Sequence, residues 1–88
     1  MNCTVRVASP LRSYTNGSAK VQAEGRTVRD LLADLDRRYP GMRFRMIDEQ
    51  DRVRPHIRFF VNQALVRELE AALAASDRVQ ILCALSGG

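Results

Sequence analysis

The chain is 88 residues long, 45 % hydrophobic and 27 % charged, with a net charge of +4 at pH 7. A domain of that size buries only roughly 60–65 % of its unfolded surface, which leaves no room for a second core or a deep internal catalytic cleft. No apolar run reaches membrane-spanning length. The cations are almost all arginine, and Asp48, Glu49 and Asp51 break up the series Arg37, Arg38, Arg43, Arg45, Arg52, Arg54 and Arg58. With no nucleic-acid motif beside it, that charge reads as solvated or acid-facing surface. The opening Met1-Asn2-Cys3-Thr4-Val5-Arg6-Val7 lacks the basic-then-apolar layout of a signal peptide, so the expected compartment is the cytoplasm.

Cys3 to Val7 alternates apolar and polar residues, the pattern of a half-buried strand with Val5 and Val7 inward and Arg6 outward. Pro10 ends it. Asn16-Gly17, inside residues 13–18, is a hairpin-turn signal, and Lys20 to Ala23 returns as a short edge strand closed by Gly25. Thr27 is a helix N-cap with Asp30 in the place of a capping-box acid. Val28, Leu31, Leu32, Leu35 and Tyr39 then form one apolar stripe. Arg37 and Arg38 suit the last turn, and Pro40-Gly41 stops the helix.

Met42, Phe44, Met46 and Ile47 are expected to cover one end of the core, in a loop or a single helical turn. His56 to Asn62 is a strand with Ile57, Phe59 and Val61 on one face and Arg58 and Phe60 on the other. Asn62-Gln63 opens a turn and Leu65-Val66 adds an edge strand. Glu68 to Ala75 has high helix propensity over about two turns, with Leu69 and Leu73 inward. Arg78 to Cys83 is the final strand, Val79 and Ile81 inward, Gln80 and Leu82 outward. His56 has no nucleophile or carboxylate partner in sequence and reads as non-catalytic. Cys3 and Cys83 match no metal spacing, and Cys83 reads as a small packed hydrophobe.

One amphipathic helix must bury its stripe against one face of a sheet. With a hairpin first, a helical crossover next and a last strand parallel to the first, the expected fold is α+β. It is a β-grasp, ubiquitin-like, with a mixed four- to five-stranded sheet on one main helix. Residues 1–83 form that domain and 84–88 a flexible C-terminal diglycine tail. Cys3 and Cys83 then fall at opposite ends of the sheet. The sheet's other face stays exposed, and Phe60 and Leu82, with Arg6 and Arg58 nearby, mark a partner-binding surface there. Gly87 and Gly88 have no Cβ to obstruct a narrow channel, and Ala84 to Gly88 fully extended span at most ~17 Å.

Thr27-Val28-Arg29-Asp30-Leu31-Leu32, Phe59-Phe60-Val61-Asn62, Val66-Arg67, and Asp77-Arg78-Val79-Gln80-Ile81-Leu82 before Gly87-Gly88 together resemble the ubiquitin-like sulfur carriers of the MoaD/ThiS family. That family includes the thiamin sulfur carrier and the small subunit of molybdopterin synthase. The strongest likeness is to the carriers of cysteine and siderophore biosynthesis. Many of the longer carriers end in Pro-Ala-Val-Ala-Gly-Gly; here the end is Cys83-Ala84-Leu85-Ser86-Gly87-Gly88, less stiff for want of the proline.

The resemblance implies a co-substrate and no catalysis by the chain itself. An E1-like adenylating enzyme spends ATP to activate the Gly88 carboxylate, and sulfide or a persulfide then converts it to a thiocarboxylate. Ala84, Leu85, Ser86 and Gly87 thread the partner's channel, with Leu85 against its wall. A cysteine-synthase-like or molybdopterin-synthase-like enzyme accepts the sulfur, and a JAMM-type metalloprotease trims any longer precursor. No bound cofactor, metal, nucleic acid or membrane is implied, and the free carrier is expected to be monomeric. Two other readings share the fold: a ubiquitin-like modifier forming isopeptide conjugates, and a non-covalent adaptor using the Phe60–Leu82 face.

Overall fold

The computed structural model describes residues 2–83. Strand β1 (Asn2–Arg6) leads through a 3₁₀ helix (Ser9–Thr15) to β2 (Lys20–Glu24), followed by α1 (Val28–Arg38), the short α2 (Met42–Met46), β3 (Ile57–Val61), β4 (Ala64–Val66) and β5 (Arg78–Cys83). The strands form one five-stranded sheet in the order β2-β1-β5-β3-β4. β1 and β5 are parallel and central; β1–β2, β3–β4 and β3–β5 are antiparallel.

The helix lies where its stripe demands. Val28, Leu31, Leu32 and Leu35 are fully buried against the inner sheet face, which carries Cys3, Val5, Val21, Ala23, Ile57, Phe59, Val79 and Ile81. Gly25 permits the close approach of helix and β2: a Cβ there would stand 2.4 Å from the main-chain nitrogen of Leu31. The Thr27 hydroxyl accepts the Asp30 N–H at 3.2 Å, as its N-cap position predicts.

Three expectations change. The connection from β1 to β2 is no tight hairpin. Pro10 opens a 3₁₀ helix that sends Leu11 into the core, and Asn16-Gly17, both left-handed, make the turn only after that helix. Residues 68–75 contain no helix. The carbonyl oxygens of Ala71 and Leu69 accept the N–H groups of Val28 and Arg29 at 3.1 and 2.8 Å, and Leu73 N–H donates to the Arg26 carbonyl at 2.8 Å. The segment therefore runs, through a turn at Leu69–Glu70 and a bridge of Ala72 to Thr27, along the start of α1 and satisfies N–H groups that a helix cannot satisfy within itself. Leu69 and Leu73 are buried all the same, so the apolar positions were right and the backbone was not.

The third change is in α2. Met42 and Met46, four apart, are buried and Ile47 follows them, while Phe44 between them is 57 % exposed. The helical period that seats the methionines turns Phe44 outward. The Arg54 guanidinium covers its ring at 4.6 Å, with Arg54 Nε donating to the Phe44 carbonyl at 2.7 Å.

Candidate functional site

β5 is the strand that leads to the tail, and its root is fixed by residues far away in sequence. Asn62 N–H donates to the Arg78 carbonyl at 2.8 Å, Arg78 N–H donates to Asn62 Oδ1 at 3.0 Å, and Asn62 Nδ2 donates to Asp77 Oδ1 at 2.9 Å. The other Asp77 oxygen accepts Ala74 N–H at 2.8 Å. Those last two bonds, the Ala74 N–H foremost and the Asn62 amide next, hold the Asp77 carboxyl below the usual carboxylate range. Asn62 and Gln63 are both left-handed, and they form the whole loop between Val61 and Ala64.

From that root the register lays out the outer face. Lys20 lies opposite Arg6, Arg6 opposite Gln80, Gln80 opposite Phe60, and Phe60 opposite Leu65, a row that crosses all five strands. In the next row Leu82 lies opposite Arg58. The structure thus brings Phe60, Leu82, Arg6 and Arg58 to one face, with Phe60 and Leu82 on a diagonal and not directly opposed. Leu65, 42 % exposed, lies opposite Phe60 and enlarges the apolar area that Phe60 and Leu82, 38 % exposed, begin. Its place was readable: a two-residue loop at 62–63 puts residue 65 across from residue 60, on the same face.

The face is divided in character. Phe60, Leu65 and Leu82 make its apolar half. Arg6, Lys20 and Arg78 line a shallow concavity of about 650 Å³ with Thr4, Asn62 and Gln80 on the other half. Arg6 and Lys20 are directly opposed like charges, an arrangement that costs stability, and neither has an ion-pair partner among the described residues.

β5 ends at Cys83, opposite Ile57. A second groove of about 350 Å³ runs beside this end, between residues 80–83 and residues 6–12, and includes Arg6 and Arg12. Cys83 and Cys3 are free thiols at opposite ends of the sheet, and burial pushes both thiols up from their ordinary range. Ala84, Leu85, Ser86, Gly87 and Gly88, the expected tail and activation site, lie outside the described residues. Among the described residues no group of three or more His, Cys, Asp or Glu side chains is placed to hold a metal ion, and no helix is long and apolar enough to cross a membrane.

A mixed five-stranded sheet with a parallel central pair, crossed on one face by a single long helix, is a β-grasp, ubiquitin-like domain. Comparison with known proteins narrows the class. The ThiS family model matches residues 5–88. The sulfur carrier protein CysO of Mycobacterium tuberculosis is 36 % identical over 93 residues, covering all of both chains. A chain in the crystal structure of the Amycolatopsis orientalis BexX/CysO complex superposes with a TM-score of 0.91 at 34 % identity, covering 98 % of this chain and 99 % of that one. The small archaeal modifier protein 1 of Methanosarcina acetivorans gives a TM-score of 0.83 at 26 % identity, over 99 % and 96 % of the two chains. The chain belongs to the ThiS family.

Proposed function

We propose that this chain is a sulfur carrier of cysteine biosynthesis and works as a protein co-substrate, with the Gly88 carboxylate as the group that is chemically changed. The observation that carries the reading is the family match: it runs through Gly88, and the likeness to a sulfur carrier protein spans both chains in full. A carboxylate is a poor acyl donor because oxide would have to leave. In the proposed cycle a partner E1-like enzyme lets the Gly88 carboxylate attack the α-phosphorus of ATP, releasing pyrophosphate and leaving an acyl adenylate. Sulfide attacks the acyl carbon, AMP departs, and Gly88 ends as a thiocarboxylate. Its sulfur, ionised at neutral pH, then attacks an activated acceptor in a synthase of the cysteine-synthase-like class.

The domain's part in this is presentation. The Asn62–Asp77–Arg78 bonds hold β5 in register, and Phe60, Leu82, Arg6 and Arg58 dock the partner while Ala84 to Gly87 thread its channel. The BexX/CysO complex supports an enzyme partner for carriers of this kind. Intact-mass measurement after incubation with an E1-like enzyme, ATP and sulfide tests the reading. Exchange of one oxygen for sulfur is the expected result; no mass change, with adenylation absent, overturns it.

The likeness to a small archaeal modifier protein favours a second reading, in which the same adenylate passes to a lysine amine as an isopeptide. Conjugates of the chain on other proteins, in place of the sulfur exchange, would select it.

A further inference from the structure

The groove between the arm at residues 53–58 and the edge strand β4 shares Arg58 and Leu65 with the outer sheet face and adds Arg54 and Arg67 to them. It encloses about 330 Å³. Its apolar floor is lined by Val53, Pro55, Leu65 and Val66, with Ile57 itself only 1 % exposed. Its charged lining residues are Arg54, Arg58 and Arg67, with no carboxylate among them. Apart from Arg45, which faces the Tyr14 ring, the arginines of residues 37–52 are ion-paired inside the domain: Arg37 and Arg38 with Asp34, Arg43 with Asp51 and Arg52 with Asp48. The groove arginines are not. Arg54 spends only Nε, on the Phe44 carbonyl, and stacks on that ring. Arg58 uses one nitrogen, Nη1, on the carbonyls of Pro55 and Ile57. Arg67 makes no hydrogen bond or ion pair with the described residues.

Two of the three guanidiniums are thus held in place through one edge, with the remaining N–H groups uncommitted. A guanidinium presented in that way matches the two oxygens of a carboxylate. The backbone of Ile57 is already occupied, because its N–H donates to the Arg54 carbonyl at 2.9 Å and its carbonyl accepts Arg58 Nη1 at 2.9 Å. Strand addition at Ile57 is therefore closed, and beside the edge strand β4 the charge recognition falls to the arginine side chains. Nucleic acid fits poorly: such interfaces are strongly polar, whereas this floor is aliphatic and offers no aromatic ring for base stacking.

We propose that this groove docks an acidic peptide segment of a partner protein, its carboxylates on Arg54, Arg58 and Arg67 and an apolar side chain on the floor. The groove lies beside Ile57, the residue opposite Cys83 on β5.

The test is a titration of the ¹⁵N-labelled full chain, followed by backbone amide shifts, with a short peptide alternating glutamate and leucine. Saturable shifts confined to Val53–Arg58 and Leu65–Arg67 are expected. Arg54→Glu with Arg67→Glu should weaken binding by roughly tenfold or more, and Arg37→Ala, at an arginine that does not line the groove, should leave it unchanged. Arg67→Glu alone, at a residue with no hydrogen bond or ion pair to lose among the described residues, should weaken it in part while the spectrum stays dispersed. Absence of saturable shifts, shifts centred on Phe60 and Leu82, or an equal response to a lysine–leucine peptide each overturns the proposal. Displacement of the acidic peptide by a short oligothymidylate would also overturn it, in favour of a phosphate site.

Discussion

Asn62 and Arg78 hold each other at both ends: the Asn62 N–H reaches the Arg78 carbonyl at 2.8 Å, and the Arg78 N–H reaches Asn62 Oδ1 at 3.0 Å. Sixteen residues separate them in the chain. The pair joins the end of β3 to the start of β5 and so sets where β5 begins. Asn62→Ala removes the side-chain bonds to Arg78 and Asp77 and places alanine at a left-handed position that asparagine tolerates better. A loss of about 1–2 kcal/mol is expected in chemical denaturation. Asn62→Gly, which relieves the backbone but not the bonds, should recover only part of it.

Gly25 is the close-approach point between β2 and α1. In Gly25→Ala the new methyl would meet the Leu31 nitrogen and Cα at 2.4 and 2.8 Å. Main chain cannot turn aside as a side chain can, so α1 must shift off the sheet. A loss of at least about 2 kcal/mol is expected, read as the denaturation midpoint. Gly17→Ala, with nothing within 4 Å, should cost less, through its left-handed backbone alone.

Asp34 carries the acid sensitivity of α1. Burial pushes its carboxyl up, but the Glu24 N–H and then Arg37 and Arg38 together outweigh that and hold it below the ordinary range. A depressed folded-state value means a contribution that is complete above the unfolded value, near about pH 4, and lost as pH falls through the folded value. Asp34→Asn should therefore be less stable than the parent at neutral pH. The difference should close on acidification below about pH 4, which thermal melts across that range will show.

The tail makes its own prediction. Gly87→Val should abolish adenylation by an E1-like enzyme with the melting temperature unchanged, because a branched side chain obstructs a channel that glycine passes. Deleting Gly88 should do the same. Pyrophosphate release is the readout, and normal release from either variant contradicts the carrier reading.

The sheet face makes another. Leu82→Asp and Phe60→Ala should each raise the KM for the carrier in that assay by roughly tenfold while leaving the fold intact, as expected for side chains at the apolar centre of an interface. An unchanged KM would move the docking surface elsewhere.

Local pattern was enough for much of this. The stripe Val28, Leu31, Leu32, Leu35 fixed α1 and its buried side, because a single helical period tolerates only one solution. The alternation in residues 3–7, 57–61 and 78–83 fixed which residues face the helix, and so placed Phe60, Leu82, Arg6 and Arg58 together on the opposite side. Leu69 and Leu73 were legible as buried, but the shape of their backbone was not. Whether that segment forms a helix depends on where its carbonyl groups find donors, and those donors are the first N–H groups of α1, some forty residues earlier.

Chain order alone determined the α+β class, the single core and the outward side of each strand, since these follow from spacing between neighbours. Only the folded chain decided what spacing cannot encode: the bond of Asn62 to Arg78, the Arg54 guanidinium over Phe44, and the convergence of Arg54, Arg58 and Arg67 on one groove. Each depends on the position of a partner brought in by packing, and a hydrogen bond or charge is worth what its surroundings leave unsatisfied.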